Sequence, residues 1–161
     1  MNKINRIMVV INGTENSYYA EMYSIYLKSI LNSELYGIYV INEKALNDLL
    51  KANIFLSDEK MDYEKDMEND AERYLGSFKE MGSRKNITVD KTIIKKGIVH
   101  TEILKAIDEN NIDLLIIGDL RRIISLRDIA YDEMEQVLRE SHIPVLVVKK
   151  EEKIEMLYKN L

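Results

Sequence analysis

The chain has no cysteine and no tryptophan, one proline, six glycines and two histidines in 161 residues. Without cysteine there can be no disulfide, no thiolate metal site and no cysteine nucleophile. A lone proline and scattered glycines leave no Gly/Pro-rich linker, so an interdomain hinge is not expected. The histidines, His100 and His142, stand in no H-x-x-x-H or H-E-x-x-H spacing, and no other metal-ligand pattern occurs. His100 follows Gly97 near a helix start, where it can meet an anion or serve as an ordinary polar residue. His142 lies in the turn "ESHIP" and reads as structural. Neither a G-x-S-x-G elbow nor a Walker loop is present, and no nucleophile has a base at recognisable spacing. The expectation is therefore no catalytic residues, no bound metal and no enzyme activity.

Long apolar runs are also missing: none approaches the roughly 18 residues a membrane span needs. Net charge is −5, so no overall basic field exists to hold nucleic acid. The opening "MNKINRIMVVIN" is apolar only briefly before Asn12 and Gly13, which fits a first strand better than a signal peptide. Cytoplasmic location, no membrane insertion and no nucleic-acid partner are the resulting expectations.

What is present is the pattern of a soluble α/β protein, 46% hydrophobic and 32% charged. The length predicts one domain over residues 1–161, with a core of about residues 4–150 and a charged tail at 151–161. "RIMVVI" reads as a strand, followed by the turn-rich "NGTENS". Residues 17–31 then repeat apolar side chains at helical spacing (Ala20, Tyr23, Leu27, Ile30, Leu31), with Ser17 as the expected N-cap. The four tyrosines of this region, Tyr18, Tyr19, Tyr23 and Tyr26, read as core and interface residues or as a surface for stacking on a base. "ELYGIYVI" is a second strand, and helical character follows to residue 86, with Met67, Ala71, Tyr74, Leu75 and Phe78 on one face. Gly76 falls inside that helix and Gly82 near its end, while the acids of residues 58–72 read as a solvated face. "NITVDKTIIK" is a third strand, "VHTEILKAIDENN" a helix built on Ile103, Leu104 and Ile107, and "DLLIIG" a buried fourth strand. Met134, Val137 and Leu138 mark a helix over residues 133–140, "IPVLVVKK" is the fifth strand, and "EEKIEMLYKNL" can form a last short helix.

Strands alternating with helices imply a doubly wound parallel sheet. Ligands of such sheets sit at the carboxyl ends of the strands where strand order reverses, here the loops after strands one and four. A separate apolar segment, residues 44–56 ("KALNDLLKANIFL"), can cover the sheet edge or the cleft, or meet a partner.

"VVINGTENS", "GIVHTEILKAIDENNIDLLIIG" and "VLRESHIPVLVV", in this order and at this spacing, resemble the universal stress protein family over nearly the whole chain. The resemblance implies a Rossmann-like five-stranded parallel sheet of order 3-2-1-4-5 with helices on both faces. It also implies a homodimer, often formed through the last strand, here Pro144, Val145, Leu146, Val147 and Val148. Paired antiparallel across a two-fold axis, that edge would satisfy its own backbone groups and bury alternating valines.

One branch of the family binds ATP with a glycine loop after strand four: Gly, two residues, Gly, nine residues, then Gly and Ser or Thr. Gly118 is the first of these here, but the count puts Arg121 and Tyr131 at the other glycines and Asp132 at the Ser/Thr position. Side chains at those places keep backbone N–H groups away from a phosphate. Asp132, Glu133 and Glu135 also complement the next helix N-terminus and repel a triphosphate. Arg121, Arg122 and Arg127 leave the opposite reading open, since arginine binds phosphate through its side chain. On the other side of the cleft Asn12 stands where ATP-binding relatives usually have aspartate, and Asn12–Gly13 would also serve as a plain turn. Val40 matches a position lining the adenine pocket, or is a core valine.

The main expectation is a non-enzymatic, cytoplasmic, homodimeric stress-response regulator. It would act on an unidentified protein partner, with a degenerate nucleotide loop, no cofactor and no family-type ATP binding. The alternative is a sensor that binds ATP, another adenine nucleotide or another anionic metabolite through Asn12, Gly13, Val40, Gly118, Arg121, Arg122 and Asp132.

Overall fold

Successive residues of the central strands are buried on opposite faces of the sheet, which divides the molecule into layers. The computed structural model describes residues 3–52, 57–120 and 133–161. Five strands, β1 (Arg6–Val10), β2 (Glu34–Asn42), β3 (Lys91–Gly97), β4 (Leu114–Gly118) and β5 (Val145–Val148), form one sheet in the order β3-β2-β1-β4-β5. Every pairing is parallel. Six helices accompany them among the described residues: α1 (Glu15–Leu31), α2 (Glu43–Lys51), α3 (Ser57–Ser83), α4 (Val99–Asn110), α5 (Glu133–Glu140) and α6 (Glu152–Lys159).

One sheet face carries Ile7, Val9, Ile11, Leu35, Ile116 and Val148 against Met22 and Ile25 of α1 and Leu75 and Phe78 of α3. The other carries Met8, Val10, Ile38, Ile93, Leu115 and Ile117 against Ile103 and Ile107 of α4 and Val137 of α5. Adjacent residues of β1 and β4 thus serve opposite cores, which is why both strands read as unbroken apolar runs. Each fully buried side chain of this kind contributes about 1.5–3 kcal/mol.

Several elements differ from the sequence pattern. The N-cap of α1 is Thr14, whose Oγ1 accepts from Ser17 N at 3.2 Å, and Ser17 lies buried inside the helix. The segment "NGTENS" offers several cap-type residues, and periodicity alone does not choose among them. Ile30 is 59% exposed, and the buried positions of α1 include Tyr19, Met22 and Ile25 instead. α6 packs Ile154 and Tyr158 against the cluster that holds Tyr19, Met22 and Ile25, so α1 is covered on more than its sheet side. Tyr19 Oη donates to Glu155 at 2.7 Å, and Tyr158 Oη donates to the Met81 carbonyl at 2.9 Å. Leu138 is likewise outside the core at 40% exposure, and Val137 carries the burial of α5.

The third strand begins at Lys91, later than its sequence suggests, because the Asp90 carboxylate takes Leu35 N–H at 2.7 Å where a strand carbonyl would accept. Gly76 lies within α3 and Gly82 in its last turn, where Gly82 O accepts from Lys85 N and Ile87 N. In the apolar segment, Leu46 of α2 is buried, whereas Ile54, Phe55 and Leu56 lie outside the described residues. No described helix is long and apolar enough to cross a membrane.

Candidate functional site

β1 and β4 are neighbours whose chains leave in opposite directions along the sheet, so a crevice opens above Val10 and Gly118. A cavity of about 420 Å³ occupies it. Its walls combine apolar Val40, Val99, Met67 and Met134 with Asn12, Thr14, Asn16, Asn42, Asp119 and Glu133. That mixture and size are typical of small-molecule sites. A larger groove of about 550 Å³ lies at the opposite ends of the strands, lined by Asn5, Arg6, Asn32, Glu34, Asn111 and Asp113. Its groups serve the fold: Asp113 Oδ2 accepts from Asn5 N and Arg6 N, and Arg6 pairs with Glu34.

Of the residues singled out in the sequence, Asn12, Val40 and Gly118 line the cavity, whereas Gly13 is not among its lining residues and lies in the turn between Asn12 and Thr14. Asn12 Oδ1 accepts from Thr14 N at 3.1 Å and Thr14 Oγ1 at 2.6 Å, so its carbonyl end builds the turn. Gly13 has φ +76°, and a Cβ there would lie 2.6 Å from Cζ of Tyr74. Glycine is required twice over, by conformation and by space. Tyr74 in turn stacks on Tyr39, with centroids 6.0 Å apart and planes 6° from parallel, and Arg73 lies over its ring. This aromatic pair, absent from the sequence reading, stiffens the cavity wall that Tyr39 forms.

Gly118 has a structural purpose independent of phosphate. A Cβ would stand 2.5 Å from the backbone C and O of Asn16 and 2.9 Å from Ser17 N. The first turn of α1 therefore packs directly on the end of β4. Asn16 Nδ2 donates to the Asp119 carbonyl at 3.0 Å and ties the two loops together. Arg121, Arg122, Arg127, Tyr131 and Asp132 lie outside the described residues.

Beneath the cavity, Ser17 Oγ lies 3.1 Å from Asn12 N, 3.4 Å from the Val10 carbonyl and 3.3 Å from Glu21 Oε2. Glu21 is 6% exposed. Burial pushes its carboxyl up to about 7, against the opposing effect of the Ser17 hydrogen bond. A protonated Glu21 completes the local bonding: it donates to Ser17 Oγ, which also accepts Asn12 N–H and gives its own proton to Val10 O. Ionised, Glu21 competes with Val10 O for that one proton. The sequence signal for this group was an acid four residues after Ser17 among buried positions of α1.

At the far wall Glu133 Oε2 accepts from His100 N at 2.9 Å and lies 2.5 Å from His100 Nδ1. The anion that meets His100 is thus the chain's own carboxylate, joining α5 to the N-terminus of α4. Asp119 Oδ1 accepts from Leu120 N at 2.9 Å and pairs with Lys149 at 2.7 Å. No lysine, arginine or histidine is among the described residues lining the cavity. No group of three or more metal-ligating side chains occurs among the described residues.

On the far edge of the sheet β5 pairs only with β4 among the described strands. Val145, Leu146 and Val147 are half-buried, Val148 is buried and Pro144 is exposed. Val145 and Val147 face the α4–α5 core while Leu146 and Val148 face the α1 core. Their side chains are already used within the chain, and the outer strand edge presents mainly backbone.

Residues 3–149 match the family model described as the universal stress protein family. The chain is 22% identical over 152 residues to universal stress protein MJ0531 of Methanocaldococcus jannaschii, covering 94% of this chain and 86% of that one. Its fold is similar to that of hypothetical protein MJ0577, with TM-score 0.71, 21% identity, and 93% and 99% of the two chains covered. It is also similar to a universal stress protein family protein from Arabidopsis thaliana whose structure has AMP bound (TM-score 0.62, 14% identity, 92% and 94% covered).

Proposed function

The chain belongs to the universal stress protein family, and from that premise we propose that it is a non-enzymatic stress-response regulator whose crevice senses a small adenine-type metabolite. The observation that carries this reading is the 420 Å³ cavity at the β1–β4 switch point, with apolar walls and converging Asn12, Asn16 and Thr14. An AMP-bound relative of the same fold supports the ligand class. ATP held in the family's glycine-loop manner is not part of the proposal. The expected loop glycines are replaced in the sequence, and Glu133 already occupies the N-terminus of α4.

In this reading binding is the input and contact with another protein is the output, with the sheet as a rigid platform in the cytoplasm. The chain is one domain, and the outer edge of β5 joins two copies. A thermal-shift screen with adenine compounds tests the input directly. A ligand with Kd near 10 μM, supplied at 1 mM, adds about 2.7 kcal/mol of stability through mass action. Absence of a shift with every adenine compound sinks the sensor reading and leaves a ligand-independent interaction platform, which the self-capped walls of the crevice would suit. Light scattering at micromolar concentration is expected to give twice the mass of 18.8 kDa, and a monomer mass contradicts the β5 pairing.

A further inference from the structure

Backbone N–H groups around the crevice are the natural phosphate donors of an α/β protein. Here five of them are bonded to side-chain oxygens of the chain itself. Asn12 N donates to Ser17 Oγ, Thr14 N to Asn12 Oδ1 and Ser17 N to Thr14 Oγ1. Across the crevice His100 N donates to Glu133 Oε2, and Leu120 N donates to Asp119 Oδ1. Two of the five acceptors are carboxylates on the cavity wall. A phosphate entering here would displace these oxygens one for one and stand beside two carboxylates whose own partners, Lys149 for Asp119 and His100 for Glu133, are not among the described lining residues.

From this we infer that the crevice selects a phosphate-free purine nucleoside, such as adenosine, over its phosphorylated forms. The inference rests on the ligand-sensing reading above. A nucleoside needs no free amide: its base edge and sugar hydroxyls both donate and accept, which suits the Nδ2 end of Asn12, whose carbonyl end is the part used in the turn. Tyr39, Val40 and Val99 offer apolar surface to the base. The protein would then report nucleoside accumulation, a signal opposite in sign to that of a triphosphate sensor.

Calorimetric titration of the full chain with adenosine, AMP and magnesium ATP at one ionic strength tests this. The result expected is tightest binding of adenosine, with AMP weaker by about tenfold or more, equivalent to about 1.4 kcal/mol, and ATP weaker again. Glu133→Gln removes one of the two wall charges while keeping an oxygen for His100 N, and should narrow the adenosine-to-AMP ratio severalfold. AMP or ATP binding as tightly as adenosine overturns the selectivity but leaves the sensor reading intact. Loss of that tight ATP binding in Arg121→Ala/Arg122→Ala would assign phosphate recognition to the arginines instead. Failure of all three compounds to bind overturns both readings together.

Discussion

Glu21→Gln is expected to stabilise the protein by about 3 kcal/mol above pH 7 and to leave it unchanged below pH 4.5. In the folded chain burial raises this carboxyl from 4.5 to about 7. Between those values the folded state keeps a proton that the unfolded state has released, so stability falls as pH rises through the window. Above pH 7 the folded state must hold a buried charge, and the full cost is present. Glutamine carries no charge, and its Nε2 can donate to Ser17 Oγ as the protonated acid does. Denaturant titrations at intervals from pH 4 to pH 8 give the test. The difference between wild type and variant should grow across that window, whereas parallel profiles would show that Glu21 ionises normally. Because Ser17 also accepts Asn12 N–H, the variant should hold the floor of the crevice in one arrangement at all pH values.

Gly118→Ala is the second large effect, a loss of about 1–3 kcal/mol with loss of any ligand affinity. Overpacking in a close-packed interior costs that much when the neighbour cannot yield. The neighbour here is the backbone of Asn16, 2.5 Å from the new methyl, so α1 must move away from β4 and open the crevice. Gly76→Ala supplies the contrast. Nothing lies within 4 Å of its Cβ, and alanine in a helix interior should gain about 0.5–1 kcal/mol. Urea denaturation of both variants, with ligand binding measured alongside, separates a packing glycine from a phosphate-loop glycine. If Gly118→Ala is as stable as wild type, the contact between α1 and β4 is looser than described.

This contact shows where sequence reading stops. The alternation of strands and helices was legible because parallel strands are apolar on both faces, and β1 and β4 meet that rule at nearly every residue. The family resemblance then supplied strand order, which local pattern cannot. Gly118 and Asn12 were legible as crevice residues because one ends β4 and the other follows β1, and Val40 only through the family resemblance. Their roles were not. Gly118 reads in sequence as the remnant of a phosphate loop, and its steric reason appears only when residue 16 is beside it. Glu21, Asp119 and the His100–Glu133 pair were missed for the same reason. Each becomes informative through a partner distant in sequence or through burial, and neither quantity is periodic. The burial of Tyr19 had a similar origin, since the α6 residue it bonds, Glu155, comes from the far end of the chain.

The central claim is that a small ligand occupies the β1–β4 crevice. Backbone amide NMR of the full chain during titration with adenosine tests it most directly. The account predicts saturable shifts at Asn12, Asn16, Val40, Val99 and Gly118, with little change at Arg6, Asn111 and Asp113 at the opposite ends of the strands. Unchanged spectra at millimolar adenosine, or shifts centred on that opposite groove, would contradict it.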